Sequence, residues 1–470
     1  MSQDHVFGKN GWATIMFPSV RNNLYLLFDD GWEVRLDSSR TGNDRWLMGT
    51  MTLAEDKFPD CKGEPAERLR KLNQLCINAG WRGAALWIPA QASGEKDKYS
   101  ELDRVSLYKY FKERFKWCKI AGIEYLKVDW GYRMKDEKFR FMLTNLAREI
   151  YPSLKVEHAG GTPPLNDYGC PWCSENFRHT GKFRNCEMGK TLSTAKKIIP
   201  VSSFFRTYDT SEPFNTSTTL DRIAEILKYY SGKKDVMTIL NCEYAAYTGA
   251  SLGCAIGLMS VPPTVPLRST QKSNYDEAVR AINWFKIAPA FGIGYGRNFV
   301  DTVILTDSHV FKPGDSWIYW LHGQRVNQSA PAIISRNMPL PKVSCTSDTP
   351  FVMASRNPNG AIAIATQERR TIEKGLHFPL AEVYIEAGNG KHPVGIFGRY
   401  KRLLLHFTKT INGRKILAQD LAGNKAIDIT EMVEIKDSLL ILTGDLINKI
   451  GLSAASLNDL STPGMVLVVK

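Results

Sequence analysis

Several features common in other protein classes are missing from this chain of 470 residues. The first residues, Met-Ser-Gln-Asp-His-Val-Phe-Gly, contain no basic start followed by an apolar stretch, so we expect no secretory signal. The longest apolar run, around Cys254 to Val265, is too short to span a bilayer and is broken by Pro262 and Pro263. We therefore expect no membrane partner and a cytoplasmic location, or a periplasmic or secreted one if a signal peptide has been removed.

Cysteine is scarce, and its count of nine is odd, which fits reduced thiols better than a disulfide framework. One cluster, made of Cys170, Cys173, His179 and Cys186, approaches a zinc site, because a two-residue gap lets two thiolates reach one ion. The later spacings match no standard zinc pattern. Plain loop cysteines or a local disulfide are the favoured alternatives, and we predict no metal and no cofactor.

The chain also lacks a nucleotide-binding signature and a concentrated basic region. No Gly-x-Gly-x-x-Gly follows the first predicted strand, which weakens a dinucleotide-binding alternative. The net charge of +13 and the pI near 9.2 would permit contact with acidic polymers. The basic residues are dispersed among acids, however, as on solvated helix faces, so we predict no nucleic-acid partner.

What the chain does contain, from residue 22 to about 300, is a regular alternation of apolar strand candidates with amphipathic helix candidates. This alternation is typical of a parallel sheet with crossover helices. The predicted strands are Leu24–Phe28, Ala84–Ile88, Tyr125–Val128, Leu154–Glu157, Ser202–Phe205 and Met237–Leu240. The predicted helices are Pro65–Ala79, Tyr108–Ala121, Asp136–Ile150, Thr219–Tyr230 and Tyr275–Ile287.

After about residue 300 the pattern changes to short strand-like segments separated by Gly, Asn, Asp and Pro. These segments include Ser316–Leu321, Ala361–Ala365, Ala381–Ile385, Arg402–Phe407 and Met465–Val469. The length suits a barrel of roughly 250 to 300 residues with a smaller domain attached. We predict an α/β protein with a catalytic (β/α)8 TIM barrel over residues 1–300 and a C-terminal antiparallel β-sandwich over 301–470. The sequence leaves homo-oligomer formation open.

In a (β/α)8 barrel the functional groups lie at the carboxyl ends of the strands, and several acids directly follow predicted strands here. These strand-end segments are Asp29-Asp30-Gly31-Trp32, Lys127-Val128-Asp129-Trp130, Glu157, and Arg206-Thr-Tyr208-Asp209. A single Asp-Gly is more often a turn than a catalyst. Several acids in strand-end order are harder to obtain by chance.

Acids and tryptophans gathered at one end of a sheet suit a sugar site. Aromatic rings such as those of Trp32, Trp87 and Trp130 stack on the apolar side of a pyranose, while carboxylates and cations hydrogen-bond its hydroxyls. Cleavage of a glycosidic bond needs two carboxyl groups, one to attack or activate water and one to protonate the leaving oxygen. Asp129 and Asp209 can fill these two roles.

Over roughly residues 10 to 300, the sequence resembles glycoside hydrolase clan D, the α-galactosidases and relatives of families 27 and 36. The resemblance rests on the Asp-Asp-Gly-Trp segment, on Lys57-Phe58-Pro59, on the segment from Gly80 to Ile88, on the segment that ends in Lys127-Val-Asp129, and on an Arg-containing stretch before a later Asp. It implies a retaining exo-glycosidase that removes a terminal α-linked galactose from an oligosaccharide or glycoconjugate.

The resemblance also implies a role for each matching residue. Asp129 resembles the nucleophile that forms the covalent glycosyl-enzyme intermediate, and Asp209 resembles the acid/base. Substrate contacts are implied for seven more residues: Asp29 and Asp30 at the 4- and 6-hydroxyls, Lys127 at the 3- and 4-hydroxyls, Glu157 and Arg206 at the 2-hydroxyl, Trp32 as a stacking wall, and Trp87 beside it.

The chain departs from the family pattern in two places. Arg206 stands three residues before Asp209, where familiar members have four, so Glu212 is the alternative acid/base. The Asn-Asp-Pro-Asp motif is replaced by Asn241-Cys-Glu-Tyr. Other hypotheses therefore remain open: a β-L-arabinopyranosidase, an α-N-acetylgalactosaminidase or an α-glucan-acting relative, and a catalytically silent carbohydrate-binding protein.

Overall fold

The computed structural model describes residues 1–35, 47–94, 103–159, 195–207, 216–243, 245–258, 275–310, 325–457 and 459–470. The chain divides into two compact units. Unit 1 is Met1–Leu165 with Gly189–Arg206, and unit 2 is Asn166–Met188 with Thr207–Lys470. Among the described residues, no helix is both long and apolar enough to cross a membrane.

Unit 1 alternates strands with helices, as the sequence predicts. Its helices are α1 (Gln3–Phe7), α2 (Trp12–Ile15), α3 (Pro65–Asn78), α4 (Arg104–Ala121) and α5 (Glu137–Ile150). Short 3-10 turns occur at Arg21–Asn23 and Ile199–Val201. The strands are β1 (Tyr25–Phe28), β2 (Gly83–Ile88), β3 (Tyr125–Val128), β4 (Lys155–Ala159) and β5 (Phe204–Arg206).

The five strands of unit 1 pair in chain order, and each pair is parallel. Most of their buried side chains are apolar, as is usual for parallel strands covered by helices, and the buried Lys127, Glu157 and Arg206 are charged exceptions. The helices begin where the sequence supplies a cap: the Asp103 carboxylate accepts from the N–H of Ser106 at the start of α4, and Asp136 does the same for Phe139 in α5. This order is that of a (β/α)8 barrel, although closure of eight strands stays a prediction.

A buried asparagine joins three elements of this sheet-and-helix layer. Asn73 on α3 accepts a hydrogen bond from the N–H of Ala84 on β2 at 2.8 Å. Its amide donates to the carbonyls of Ala121 at 2.9 Å and Gly122 at 3.2 Å, at the end of α4. Gly122 ends α4 with a φ of 70°, a left-handed conformation that glycine adopts readily. One side chain therefore fixes where β2 starts and where α4 stops.

The described part of unit 2 has most of its helices before residue 290 and most of its strands after it. Its helices are α6 (Thr216–Tyr230), α7 (Ala246–Leu252), α8 (Tyr275–Ile287) and α9 (Gly444–Gly451), with a 3-10 turn at Thr430–Met432. Its first nine described strands are β6 (Ile239–Asn241), β7 (Asn298–Val300), β8 (Ile304–Val310), β9 (Arg325–Pro331), β10 (Ile333–Arg336), β11 (Lys342–Ser344), β12 (Phe351–Arg356), β13 (Ile362–Gln367) and β14 (Arg369–Thr371). The others are β15 (Gly375–His377), β16 (Glu382–Glu386), β17 (Val394–Phe397), β18 (Arg402–His406), β19 (Ile416–Asp420), β20 (Ile427–Asp428), β21 (Glu434–Lys436), β22 (Leu439–Thr443) and β23 (Gly464–Val469).

Two sheets of unit 2 share one apolar core. The eight-stranded sheet has the order β20-β19-β23-β17-β13-β12-β10-β7, and the five-stranded sheet has the order β11-β16-β18-β22-β21. Buried side chains of both sheets, such as Ile364 and Leu405, belong to the same core cluster. Two sheets around one core form a β-sandwich. The predicted domain boundary at residue 300 lies inside unit 2 and stays a prediction.

The prediction of an antiparallel sandwich needs a correction, because both sheets are mixed. β10 pairs with β12, β13 with β17, and β16 with β18, all in parallel. The alternation of apolar and polar residues identifies a strand but carries no information about the direction of its neighbour. The predicted strand Ser316–Leu321 lies outside the described residues.

Buried polar contacts tie α8 to the end of the sandwich within unit 2. Arg280 donates to both carboxylate oxygens of Asp420, at 2.8 and 3.1 Å. The Glu277 carboxylate accepts from the backbone and hydroxyl of Thr462, each at 2.8 Å. Because buried charges need partners, these contacts fix the last helix before the sandwich onto its β19 and β23 ends.

Asn73→Ala tests the joint between α3, β2 and α4. The variant leaves the N–H of Ala84 and two helix-end carbonyls without their partner, so we expect the free energy of unfolding to fall by about 2 kcal/mol. Urea denaturation followed by circular dichroism measures the change. The exposed neighbour Gln74→Ala is the matched control, and an Asn73→Ala variant as stable as this control would contradict the role of Asn73.

Candidate active site

The strand register of unit 1 places four predicted site residues side by side. Trp87 on β2 pairs with Lys127 on β3, and Lys127 pairs with Glu157 on β4. Phe28 pairs with Leu86, so the next residue of the chain, Asp29, continues the row beside Trp87. Cross-strand partners project to the same face of a sheet, so these four side chains share one face at the carboxyl end of the strands.

Asp129 follows Lys127 by two residues and therefore lies on the same face, one step further toward the strand end. Its Oδ2 atom accepts a hydrogen bond from the Trp87 indole Nε1 at 3.0 Å. The same oxygen lies 3.6 Å from the Lys127 ammonium. Both contacts favour the carboxylate anion, and 21% of the side chain is exposed. Asp129 is thus an oriented and partly exposed carboxylate.

Lys127 connects two carboxylates. Its ammonium lies 3.5 Å from the Asp29 carboxylate as well as 3.6 Å from that of Asp129, while its own side chain is only 1% exposed. Asp29 is 45% exposed, and its second oxygen accepts from the N–H of Asp30 at 2.9 Å. A buried cation between two partly exposed acids links the end of β1 to the end of β3.

Glu157 and Arg206 form a second, deeper ion pair. The Arg206 guanidinium donates to the Glu157 carboxylate at 2.9 Å, and both side chains are almost completely buried. Arg206 comes two residues after Phe204, the cross-strand partner of Glu157, so the two charged groups project from the same face. The pair lies beside Lys127 in the row, which extends the polar surface to the ends of β4 and β5.

The three tryptophans differ in exposure. Trp32, predicted as a stacking wall, has no exposed surface, and its indole donates to the Trp87 carbonyl at 2.8 Å. In this structure Trp32 therefore supports the end of β2 and presents no ring face to a ligand, because the turn after β1 folds it into the core. Trp87 is also buried and orients Asp129. Trp130 keeps partial exposure, with its ring centroid 5.0 Å from that of Trp87.

Several predicted residues lie outside the described residues. These are the acid/base candidates Asp209 and Glu212 and the cysteine cluster of Cys170, Cys173, His179 and Cys186. Within the described parts of the chain, no group of three or more His, Cys, Asp or Glu side chains is arranged to hold a metal ion.

One residue near Asp129 was not predicted as part of the site. Arg140 on α5 is fully buried and donates to the backbone carbonyl of Asp129 at 2.9 Å. The sequence does indicate that Arg140 is buried, because its helical spacing places it on the same face of α5 as Leu143, Thr144 and Ala147. A cation at an apolar position of a helix usually has a specific partner.

The segment that follows β1 is held by a buried carboxylate. Glu33 accepts from the backbone N–H groups of Gly49 at 2.6 Å and Met51 at 2.7 Å. Thr50 adds a hydroxyl donor at 3.3 Å, and its carbonyl accepts from Arg114 at 3.1 Å. Burial raises the pKa of Glu33 to about 7, although these donors and the Arg114 charge favour the anion.

Comparison with known proteins gives structural similarities at low sequence identity. No family model matches the chain, and no curated protein matches it. Solved structures do match. A family 27 β-L-arabinopyranosidase from Geobacillus stearothermophilus is 10% identical, with a TM-score of 0.39, over 97% of this chain and 93% of that one. α-Galactosidase I from Mortierella vinacea is 11% identical, with a TM-score of 0.38, over 94% and 87%.

A third match is a structure from Bacillus halodurans described as a putative α-N-acetylgalactosaminidase. It is 12% identical, with a TM-score of 0.40, over 100% of this chain and 95% of that chain. These are the kinds of enzyme that the sequence motifs resemble. At this identity and TM-score, the similarity decides neither the substrate nor the residues of the site.

Glu33→Gln tests the buried carboxylate through pH. The folded pKa of about 7 lies above the ordinary value of 4.5, so the native state holds the proton more tightly than the unfolded state. The contribution of Glu33 to stability is then full below about pH 4.5 and is lost as the pH rises through about 7.

We expect the free energy of unfolding of the wild type, relative to Glu33→Gln, to fall by about 2 kcal/mol between about pH 5 and pH 8. Urea denaturation at a series of pH values measures this difference. Glu64→Gln, at an exposed position, is the control. Parallel pH profiles for the wild type and Glu33→Gln would contradict the assignment.

Proposed function

We propose that the protein is a retaining exo-glycosidase that removes terminal α-linked galactose through a covalent glycosyl-enzyme intermediate. The observation that carries the proposal is the state of Asp129, a partly exposed carboxylate at a strand end held by the Trp87 indole at 3.0 Å and by the Lys127 ammonium at 3.6 Å. A nucleophile for the anomeric carbon must be ionised and fixed in direction, and these contacts provide both.

In the proposed mechanism, Asp129 attacks the anomeric carbon while the acid/base protonates the leaving oxygen. The bond from the anomeric carbon to the aglycone breaks, and an ester bond to Asp129 forms. The acid/base then removes a proton from water, which attacks the same carbon and releases the sugar with retained configuration. Asp209 fills the acid/base role by its motif position, with Glu212 as the alternative.

Galactose is the proposed glycone because two exposed acids, Asp29 and Asp30, follow β1. They suit an axial 4-hydroxyl and a free 6-hydroxyl, whereas a β-L-arabinopyranoside has the same ring without the hydroxymethyl group. By motif position Glu157 and Arg206 belong near the 2-hydroxyl, where a glutamate would crowd or repel an acetamide, and in this structure they pair with each other and are almost completely buried. Trp130 is the proposed stacking ring, since it keeps exposed surface next to Asp129.

Asp129→Ala tests the nucleophile. With an aryl α-galactoside as substrate, we expect kcat to fall by a factor on the order of 10⁴, with an unchanged fold and partial recovery in azide, which replaces the missing carboxylate. Initial rates with and without azide measure the loss and the recovery. Proton NMR of the first product of the wild type shows whether the anomeric configuration is retained. Asp56→Ala, at an exposed site of unit 1, is the control.

The same assays separate the competing functions. Near-normal activity of Asp129→Ala would sink the nucleophile assignment. If the wild type hydrolyses an aryl β-L-arabinopyranoside faster than the α-galactoside, the protein is a β-L-arabinopyranosidase. Sugar binding without hydrolysis of any aryl glycoside would favour the catalytically silent carbohydrate-binding alternative, which the shifted Arg206–Asp209 spacing allows.

Comparing Asp209→Ala with Glu212→Ala identifies the acid/base. Loss of the proton donor should reduce kcat by a factor of about 10² to 10⁴ for substrates with poor leaving groups, and far less for activated aryl glycosides that need no proton. We expect this selectivity from Asp209→Ala. If Glu212→Ala instead shows the larger loss for poor leaving groups, Glu212 is the acid/base.

A further inference from the structure

Behind the strand end that carries Asp129 lies a buried guanidinium group. Arg140 donates to three backbone carbonyls: that of Val128 at 3.1 Å, that of Asp129 at 2.9 Å and that of Met134 at 2.9 Å. The side chain has no exposed surface. These three carbonyls lie at the end of β3 and in the turn that follows it, so one rigid planar group fixes the backbone on both sides of the Asp129 side chain.

The guanidinium is itself held by a directed chain of hydrogen bonds. Its Nη1 lies 3.0 Å from the Nδ1 of His158, and the Nε2 of His158 lies 3.0 Å from the Thr144 hydroxyl. Arginine can only donate, so Nδ1 accepts and the His158 proton sits on Nε2. The Thr144 hydroxyl donates in turn to the Arg140 carbonyl at 3.3 Å. Burial and the Arg140 charge hold the pKa of His158 well below its usual range, so the imidazole is neutral.

The charge of Arg140 is balanced weakly by its direct neighbours. Among the described residues, its hydrogen-bond partners are three carbonyls and a neutral imidazole, with no carboxylate. Burial lowers the pKa of Arg140 to about 10, and the nearby Asp129 carboxylate opposes this effect. Coulomb attraction is mutual, so the guanidinium favours the anionic form of Asp129, as Lys127 does from the other side.

We propose that Arg140 is a positioning residue for Asp129: it fixes the backbone from the helix side of the sheet, and its buried charge stabilises the carboxylate anion. This inference rests on the proposed function, in which Asp129 is the nucleophile. Arg140 touches no substrate in this scheme. It acts through the direction and the charge state of the group that attacks.

Two substitutions separate the two parts of this role. Arg140→Lys keeps a cation but cannot reach three carbonyls at once, so we expect kcat to fall by a factor on the order of 10 to 100, with KM and the acid limb of the pH–rate profile near those of the wild type. Arg140→Met removes the charge as well. We expect a larger loss of kcat and an acid limb displaced to higher pH, because Asp129 loses the stabilising charge of Arg140.

The rates are measured on the aryl glycoside that the wild type hydrolyses and are expressed per active site. Sites are counted by mass spectrometry after trapping the covalent intermediate with a slow fluorinated glycosyl fluoride. A purely structural role would lower the number of sites and leave kcat per site unchanged. Arg148→Met, the same change at an exposed position of α5, is the matched control.

Wild-type kcat per site and a wild-type pH profile in a folded Arg140→Met variant would overturn the proposal. If Arg140→Met does not fold, Arg140→Lys decides, and wild-type kcat per site there would overturn the positioning role. Failure of the proposed function is recognised separately, because the wild type then hydrolyses no aryl glycoside.

In that case, carbon-13 NMR of aspartate-labelled protein follows the Asp129 carboxylate, identified by its loss in Asp129→Asn. A titration midpoint that is higher in Arg140→Met than in the wild type, with that of Arg140→Lys near the wild type, supports the inference. An unchanged midpoint in Arg140→Met overturns it.

Discussion

The candidate site depends on one buried ammonium group. Lys127 is 1% exposed, and an ion of this kind without partners would cost several kcal/mol. Among the described residues, Asp29 and Asp129 lie 3.5 and 3.6 Å from the ammonium and come from the ends of different strands, so both ion pairs form only when β1 and β3 end at the same level. The need to solvate one charge therefore sets the geometry of the two acids.

The two faces of the sheet around this group carry different side chains. The face that carries Asp29, Trp87, Lys127 and Glu157 holds the polar row, and Arg206 extends it to β5. The opposite face packs on α5, where Arg140 holds the carbonyls that flank the Asp129 side chain. The carboxylate is thus fixed from both sides, through its side chain by Trp87 and Lys127 and through its backbone by Arg140. Preorganisation of this kind is what a nucleophilic carboxylate requires.

Much of this arrangement could be predicted from local pattern. Apolar runs followed by acids gave the strands and their carboxyl ends, and the two-residue spacing of Lys127 and Asp129 put both on one face. The pattern could not give the burial of Trp32, which depends on how the turn after β1 folds back under β2. The helix spacing indicates that Arg140 is buried, but its role could not be predicted, because a backbone carbonyl partner can belong to any residue type. Strand direction in the sandwich was also missed, because alternation is the same for parallel and antiparallel neighbours.

The central claim is that Asp129 forms a covalent bond to the sugar during turnover, and it can be tested by trapping. A 5-fluoro-galactosyl fluoride reacts through the same first step but releases its sugar slowly, so the intermediate accumulates and survives digestion of the protein. Mass spectrometry of the peptides then locates the label. The account predicts one galactosyl ester on the peptide that contains Asp129, and loss of labelling in Asp129→Ala. A label on another carboxylate, or turnover of the reagent with no covalent species, would contradict it.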